Sequence, residues 1–235
     1  MADTLKRHFD ALAASNDEVA ANGYRRSEGP PPHRFVADAI AAVIEPRPEH
    51  RLLDIGCGTG EILRLLAPTI SGVGLDISPV MVERARLKGV EALVYDGRRL
   101  PFSEASFDRV LIYQVLVNFV SKNAARKLVE EALRITRPGG LVLIGAIPHP
   151  KWSRFRQHGL ILILRHRISE MLGHAPLSCF AFDLKFFADI AQRAACTRCE
   201  ICQSPIPLPG WSEKYDVLLQ KPPLQGTTSP HDRAS

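Results

Sequence analysis

Leu52-Leu53-Asp54-Ile55-Gly56-Cys57-Gly58-Thr59-Gly60 decides the fold: an apolar run carrying an acid passes into three glycines spaced two apart, and Glu61 then opens an apolar helical segment. An acid at the carboxyl end of a buried strand, followed by Gly56, Gly58 and Gly60, makes a turn whose backbone can approach a ligand with no side chain in the way. The amides at the start of the following helix face that ligand. The dinucleotide fingerprint G-x-G-x-x-G would need a third glycine at position 61, where the chain has Glu61, which argues against NAD and FAD. Asp76 closes the next apolar stretch, about 20 residues beyond Gly56, the spacing a ribose-binding acid requires.

Working outward, strands are expected at 51–55, 72–75, 91–95, 108–113, 141–147, 198–203 and 215–220. Between them lie helical patterns at 61–67, from the Ser78-Pro79 cap to Gly89, at 121–136, and at 184–195 behind an Asp183 cap. Pro138-Gly139-Gly140 reads as the turn into the fifth strand, and the last strand closes the sheet. Alternating apolar strands and amphipathic helices predict an α/β, doubly wound, mostly parallel seven-stranded sheet with helices on both faces. Ahead of this core, residues 1–32 read as a helical arm, a candidate lid or a helix packed on the sheet edge, set off from the 33–45 helix by Gly29-Pro30-Pro31-Pro32. The core domain is expected over 33–220 with an insertion at about 148–180, and residues 221–235 read as a disordered tail.

The quoted turn, together with GVGLDISPVMVERA, YDGRRLPFSEASFDRV and LRITRPGGLVLI further along, resembles the ordered motifs of class I S-adenosylmethionine-dependent methyltransferases of the small-molecule type, over roughly residues 33 to 147. The resemblance implies S-adenosylmethionine as cofactor and methyl transfer to an oxygen or nitrogen of a small molecule. It places Asp54 on the cofactor's amino group, the Gly56, Cys57, Gly58 and Gly60 turn around its methionine part, and Asp76 on the ribose hydroxyls. Ile77 then packs on the adenine, Asp96 and the Gly97 amide meet its edge, and Tyr113 borders the site.

Where the family often has Leu-His-His after the fourth strand, this chain reads Tyr113-Gln114-Val115-Leu116-Val117-Asn118, so no histidine base can be borrowed from it. Gln114, just past the strand end, is expected to line the methyl-transfer site. His149, following the fifth strand, is the candidate base, the alternative being a solvated loop histidine. Tyr24 of the arm is a candidate lid residue over the methyl group. The missing histidines keep open a protein that binds the cofactor without turnover.

Composition bounds the partners. The 235 residues, 46% of them hydrophobic, can bury a full core. A net charge of +5 and a pI near 9.1 are too mild, and too dispersed, to indicate nucleic acid. No Asn/Asp-Pro-Pro-Tyr motif or Pro-Cys pair suited to base methylation occurs, so a small-molecule acceptor and no nucleic acid are expected. The run Lys151 to Arg167 holds five Lys/Arg and no acid around Trp152, Phe155 and an apolar Leu-Ile-Leu-Ile-Leu core. It reads as a substrate lid with a solvated basic face, or as a docking segment for a membrane or a lipid-, quinone- or glycan-linked acceptor. The five cysteines, without a leader-like N-terminus, fit a reducing cytoplasm, and a monomer or homodimer is expected. Cys196, Cys199 and Cys202 are spaced C-x-x-C-x-x-C, with Cys179 as a candidate fourth thiolate, but alternation along a strand would send Cys199 and Cys202 to opposite faces. No metal site is expected.

Overall fold

The structure, a computed structural model, describes residues 6, 7, 9–11, 13, 33–95, 99–119, 121–148, 182–203 and 214–224. Its elements in chain order are α1 (His33–Ile44), β1 (Arg51–Ile55), α2 (Glu61–Leu66), β2 (Ser71–Asp76), α3 (Pro79–Leu87), β3 (Ala92–Val94), β4 (Phe107–Tyr113), α4 (Lys122–Ile135), β5 (Thr136–Pro148), α5 (Leu184–Arg193), β6 (Arg198–Gln203) and β7 (Lys214–Gln220), with a single 3₁₀ turn at Leu116–Asn118. The described residues ahead of α1 are helical.

The strands form one seven-stranded sheet in the order β3-β2-β1-β4-β5-β7-β6. From β3 to β5 all pairings are parallel, and β7 runs antiparallel to both its neighbours. The chain builds outward from β1 to β3, then returns to lay β4 on the other side of β1. The loops leaving β1 and β4 therefore diverge, opening a crevice at the carboxyl ends of these two strands, where open α/β sheets bind ligands.

Side-chain parity divides the core. Leu52, Leu111, Leu143 and Leu218 face α1, α2 and α3, while Leu53, Val110, Ile112, Ile144 and Val217 face α4 and α5. In α4 the apolar positions Ala125, Leu128, Val129, Ala132, Leu133 and Ile135 recur at helical spacing and are all buried. Leu111 is fully buried at the centre of the sheet, so its truncation to alanine should cost about 2–5 kcal/mol. Side-chain caps fix three helix starts: Ser78 accepts from Met81 N, Ser121 from Ala124 N and Asp183 from Phe186 N.

Two features depart from the sequence expectation. Pro138-Gly139-Gly140 is not a turn ahead of β5 but a bulge within it: Phe107 pairs with Thr136 and Arg109 already with Leu141. Gly140 fits because a Cβ there would stand 2.8 Å from the Asp108 carbonyl oxygen. Nor does β7 close the sheet edge; it slots between β5 and β6. The two strands, joined by a segment that carries Pro205, Pro207 and Pro209, pair antiparallel. The insertion after Pro148 and the tail beyond Leu224 lie outside the described residues.

Candidate functional site

The turn after β1 folds over the end of β2. Gly56 N and Cys57 N both donate to the Leu75 carbonyl, at 2.7 and 3.0 Å, and Gly58 N donates to Asp76 Oδ2 at 2.9 Å. Gly56 has φ +81°, and a Cβ there would come within 2.3 Å of Val115 Cγ2, so the turn also abuts the loop leaving β4. Gly60, at φ +77°, is the cap from which α2 starts. Behind the turn, Lys88 Nζ reaches Thr59 Oγ1 at 3.1 Å and Glu61 Oε1 at 2.6 Å, tying the start of α2 to the end of α3.

Two carboxylates border this turn. Asp54, 4% exposed, accepts no hydrogen bond at its carboxylate among the described residues, and burial, then the neighbouring Asp76 charge, pushes its pKa up to about 7. Such a group is stabilised by a cation placed against it. Asp76, 9% exposed, is also raised by burial, against which the Ser78, Gly58 and Ile77 amides act. Its Oδ1 accepts from Ser78 N and its Oδ2 from Gly58 N, each at 2.9 Å. Each oxygen keeps a second lone pair, so the carboxylate can still receive two hydroxyls. An unpaired acid suited to an ammonium group, a two-oxygen acceptor suited to a vicinal diol and a turn free of side chains fit an amino-acid nucleoside such as S-adenosylmethionine.

The other sequence candidates are distributed unevenly. Ile77 is half-buried directly after Asp76. The Cys57 thiol points into the core against Gly74, where a Cβ would stand 2.5 Å from its sulfur, so Cys57 offers the cleft only its backbone. The Tyr113 ring lies on Gly145 within the same helix-side core. Gln114 stands at the end of β4 with φ +59°, its amide N bonded to the Gly145 carbonyl at 3.1 Å and its side-chain Nε2 buried without a partner among the described residues. Asp96, Gly97, Tyr24 and His149 lie outside the described residues. Along β6, Cys199 stands opposite Leu219 and Cys202 opposite Asp216, on the two faces of the sheet. Cys199 is exposed and Cys202 half-buried, more open than the packed cysteines expected, because β6 is an edge strand. No cluster of metal-ligating side chains occurs among the described residues.

Two contacts have no counterpart in the sequence reading. Asp10 Oδ1 accepts the Ser78 hydroxyl at 2.5 Å, and Ala13 packs on Met81, which docks the N-terminal helical residues on the first turn of α3 beside Asp76. Asp216, 3% exposed and raised by burial to about 6, accepts from Ala146 N at 2.7 Å and holds that residue at φ +56° in the β5–β7 irregularity. The one local signal for it is an acid at an inward position of the strand Tyr215-Asp216-Val217-Leu218.

The family model described as "Methyltransferase domain" matches residues 53–144. The chain is 32% identical over 161 residues to the demethylmenaquinone methyltransferase of Renibacterium salmoninarum, covering 66% of this chain and 63% of that protein. It is 38% identical over 106 residues to the tRNA (carboxymethyluridine(34)-5-O)-methyltransferase of Arabidopsis thaliana, covering 45% of this chain and 26% of that protein. It thus spans less than two thirds of these curated relatives. Among solved structures, the complex of a Haloferax volcanii methyltransferase with the Trm112 methyltransferase activator matches with a TM-score of 0.66 at 20% identity, over 91% of this chain and 97% of that one. The Haemonchus contortus phosphoethanolamine N-methyltransferase 1 matches with a TM-score of 0.65 at 15% identity, over 98% of this chain and 51% of that one. At these identities the structural likeness is one of fold. Motif order, sheet order and the domain match agree: residues 53–144 match a methyltransferase domain, and the chain has the fold of the class I S-adenosylmethionine-dependent methyltransferases.

Proposed function

We propose that the protein binds S-adenosylmethionine along the Asp54–Asp76 edge and transfers its methyl group to an oxygen or nitrogen of a small-molecule acceptor seated beside Gln114. The observation that carries this reading is the pair of buried carboxylates at the ends of adjacent strands, one unpaired among the described residues and one fastening the glycine turn. The cofactor supplies a methyl group on a sulfonium that is already a good leaving group, so the chain's task is to hold the acceptor in line with it. Asp54 orients the amino group by charge, Asp76 accepts the ribose hydroxyls, and the Gly56–Gly60 backbone lets the methionine part approach closely. Asp96 and Gly97 would receive the adenine, with Ile77 against its face. Gln114 borders the acceptor; His149 is the candidate base for a hydroxyl acceptor, and Tyr24 the candidate lid residue.

The tRNA-named relatives align over only 42–45% of this chain, at most 106 residues, and do not carry an acceptor across to it. The mild charge favours a small molecule over nucleic acid. A quinone or other lipid-linked acceptor is the second reading, favoured by the 161-residue match to a demethylmenaquinone methyltransferase and by the basic, apolar run Lys151 to Arg167. No helix among the described residues is long and apolar enough to cross a membrane. We place the protein in the cytoplasm, as a monomer or homodimer.

Incubation with methyl-labelled S-adenosylmethionine and fractionated cell extract separates the readings. Label in the low-molecular-weight aqueous fraction is expected; label in the lipid fraction would promote the second reading, and label confined to tRNA would overturn the small-molecule assignment.

A further inference from the structure

The carboxyl edge of the sheet holds two buried N–H donors with no hydrogen-bond acceptor among the described residues, Nε2 of Gln114 and an Nη of Arg126. An unpaired buried donor is costly and uncommon, and at a ligand-binding edge it marks a place where a ligand supplies the acceptor. The backbone of Gln114 is held from two sides: its N–H donates to the Gly145 carbonyl at 3.1 Å, and its own carbonyl accepts from Asn118 Nδ2 at 3.4 Å. With φ +59° it is a non-glycine residue in the left-handed region, a conformation that persists only where the surroundings impose it and that clusters at functional sites.

Arg126 lies in the first half of α4, with its guanidinium carbon 5.2 Å from the centroid of the Phe186 ring. Phe186 belongs to the first turn of α5. The Phe182 carbonyl just ahead of that helix accepts the Tyr215 hydroxyl, and Tyr215 pairs with Ile147 at the carboxyl end of β5. Arg126 and Gln114 therefore occupy the same edge of the sheet. Of the two acids three positions from Phe186, Asp183 is engaged as the α5 cap, accepting from Phe186 N at 3.0 Å, and Asp189 makes no ion pair with Arg126 among the described residues. A guanidinium stacked on an aromatic face keeps its in-plane N–H groups for planar oxyanions, and Gln114 adds a neutral donor.

We propose, building on the methyltransferase reading above, that the methyl acceptor is an organic anion whose carboxylate or phosphate oxygens are received by Arg126 and Gln114. The negative group anchors the acceptor and leaves a separate hydroxyl or amine free to be methylated. Arg126 is then a specificity-determining residue, acting on the acceptor and not on the cofactor.

The test uses the full chain saturated with S-adenosylhomocysteine, the demethylated cofactor, titrated calorimetrically with acetate, benzoate, inorganic phosphate and, as the neutral partner of benzoate, benzamide. At least one of the anions should bind, with benzamide at least about tenfold weaker than benzoate where benzoate is the binder. Arg126→Gln should weaken the bound anion by about tenfold or more while leaving S-adenosylhomocysteine affinity and Tm unchanged, and Arg126→Lys should restore part of the loss. Gln114→Leu should weaken the same anion. Retention of full anion affinity in Arg126→Gln, equal binding of benzoate and benzamide, or no anion binding to a protein that does bind S-adenosylhomocysteine would each overturn the proposal and leave the methyltransferase reading standing. Failure to bind S-adenosylhomocysteine would remove that reading, and this proposal with it.

Discussion

The Gly58 backbone amide donates to Asp76 Oδ2 at 2.9 Å, joining the glycine turn after β1 to the end of β2 through the carboxylate proposed to receive the ribose. Asp76 thereby shapes the turn with the same two oxygens that, in the proposed function, receive the ligand. The register of the two strands sets this up: Asp54 pairs with Gly74 and Ile55 with Leu75, so Asp76 stands one step beyond the last pair, where the turn folds back over it.

Asp54 should couple cofactor binding to pH. Its folded pKa, about 7, lies above the ordinary carboxylate value near 4, so between these limits the folded chain holds a proton that the unfolded chain has lost. The associated stability is present at low pH and declines as pH rises from about 4 to 7, by up to about 1.4 kcal/mol per pH unit for one group. Asp76 and Asp216, raised by burial as well, act in the same direction. Asp54→Asn should therefore be flatter than the wild type in denaturant midpoints across pH 5 to 8. At pH 6, binding of S-adenosylhomocysteine should release a proton as its ammonium group meets Asp54, seen as a dependence of the calorimetric heat on buffer ionisation enthalpy. A heat independent of buffer would show that Asp54 does not meet the ammonium group.

Gly56→Ala meets two obstacles at once. The left-handed φ of +81° disfavours any Cβ, and the new methyl would fall 2.3 Å from Val115 Cγ2. We expect about 1–3 kcal/mol of lost stability and at least tenfold weaker S-adenosylhomocysteine binding. Adding Val115→Ala should relieve the clash but not the backbone strain, so full recovery in the double variant would contradict the role given to this glycine.

Much of this was legible from punctuation and local pattern. Ser78-Pro79 and Asp183 announced helix starts, and the acid and glycine spacing located Asp54 and Asp76. The remainder depends on partners distant along the chain. Asp10 meets Ser78 across 68 positions and Asp216 meets Ala146 across 70, and neither leaves a periodic trace. The Arg137–Gly140 bulge reads as a turn because proline and glycine serve both, and only pairing with Phe107 and Arg109 reveals which. Cys57 shares its motif with the glycines, yet close packing on Gly74 turns its thiol inward, something fixed by the neighbouring strand.

Ser78→Ala removes both the α3 cap and the hydroxyl held by Asp10. A loss of about 1–2 kcal/mol is expected in chemical denaturation. Asp10→Ala keeps the cap and should cost less; an equal or larger loss would mean that the cap is not what Ser78 contributes.

The cysteines should hold no metal. With Cys199 and Cys202 on opposite faces of β6, they cannot share one tetrahedral ion without breaking the strand. Purified protein should carry no stoichiometric zinc or iron and keep its Tm in chelator; about one metal per chain by elemental analysis would refute this.

Calorimetric titration of the wild type and of Asp76→Ala with S-adenosylhomocysteine, beside NADH, tests the cofactor site most directly. The wild type should bind S-adenosylhomocysteine and not NADH. Asp76→Ala should lose about 1.5–3 kcal/mol of that affinity, the scale for removing a charged hydrogen-bond acceptor. NADH binding in place of S-adenosylhomocysteine, or unchanged affinity in Asp76→Ala, would contradict it.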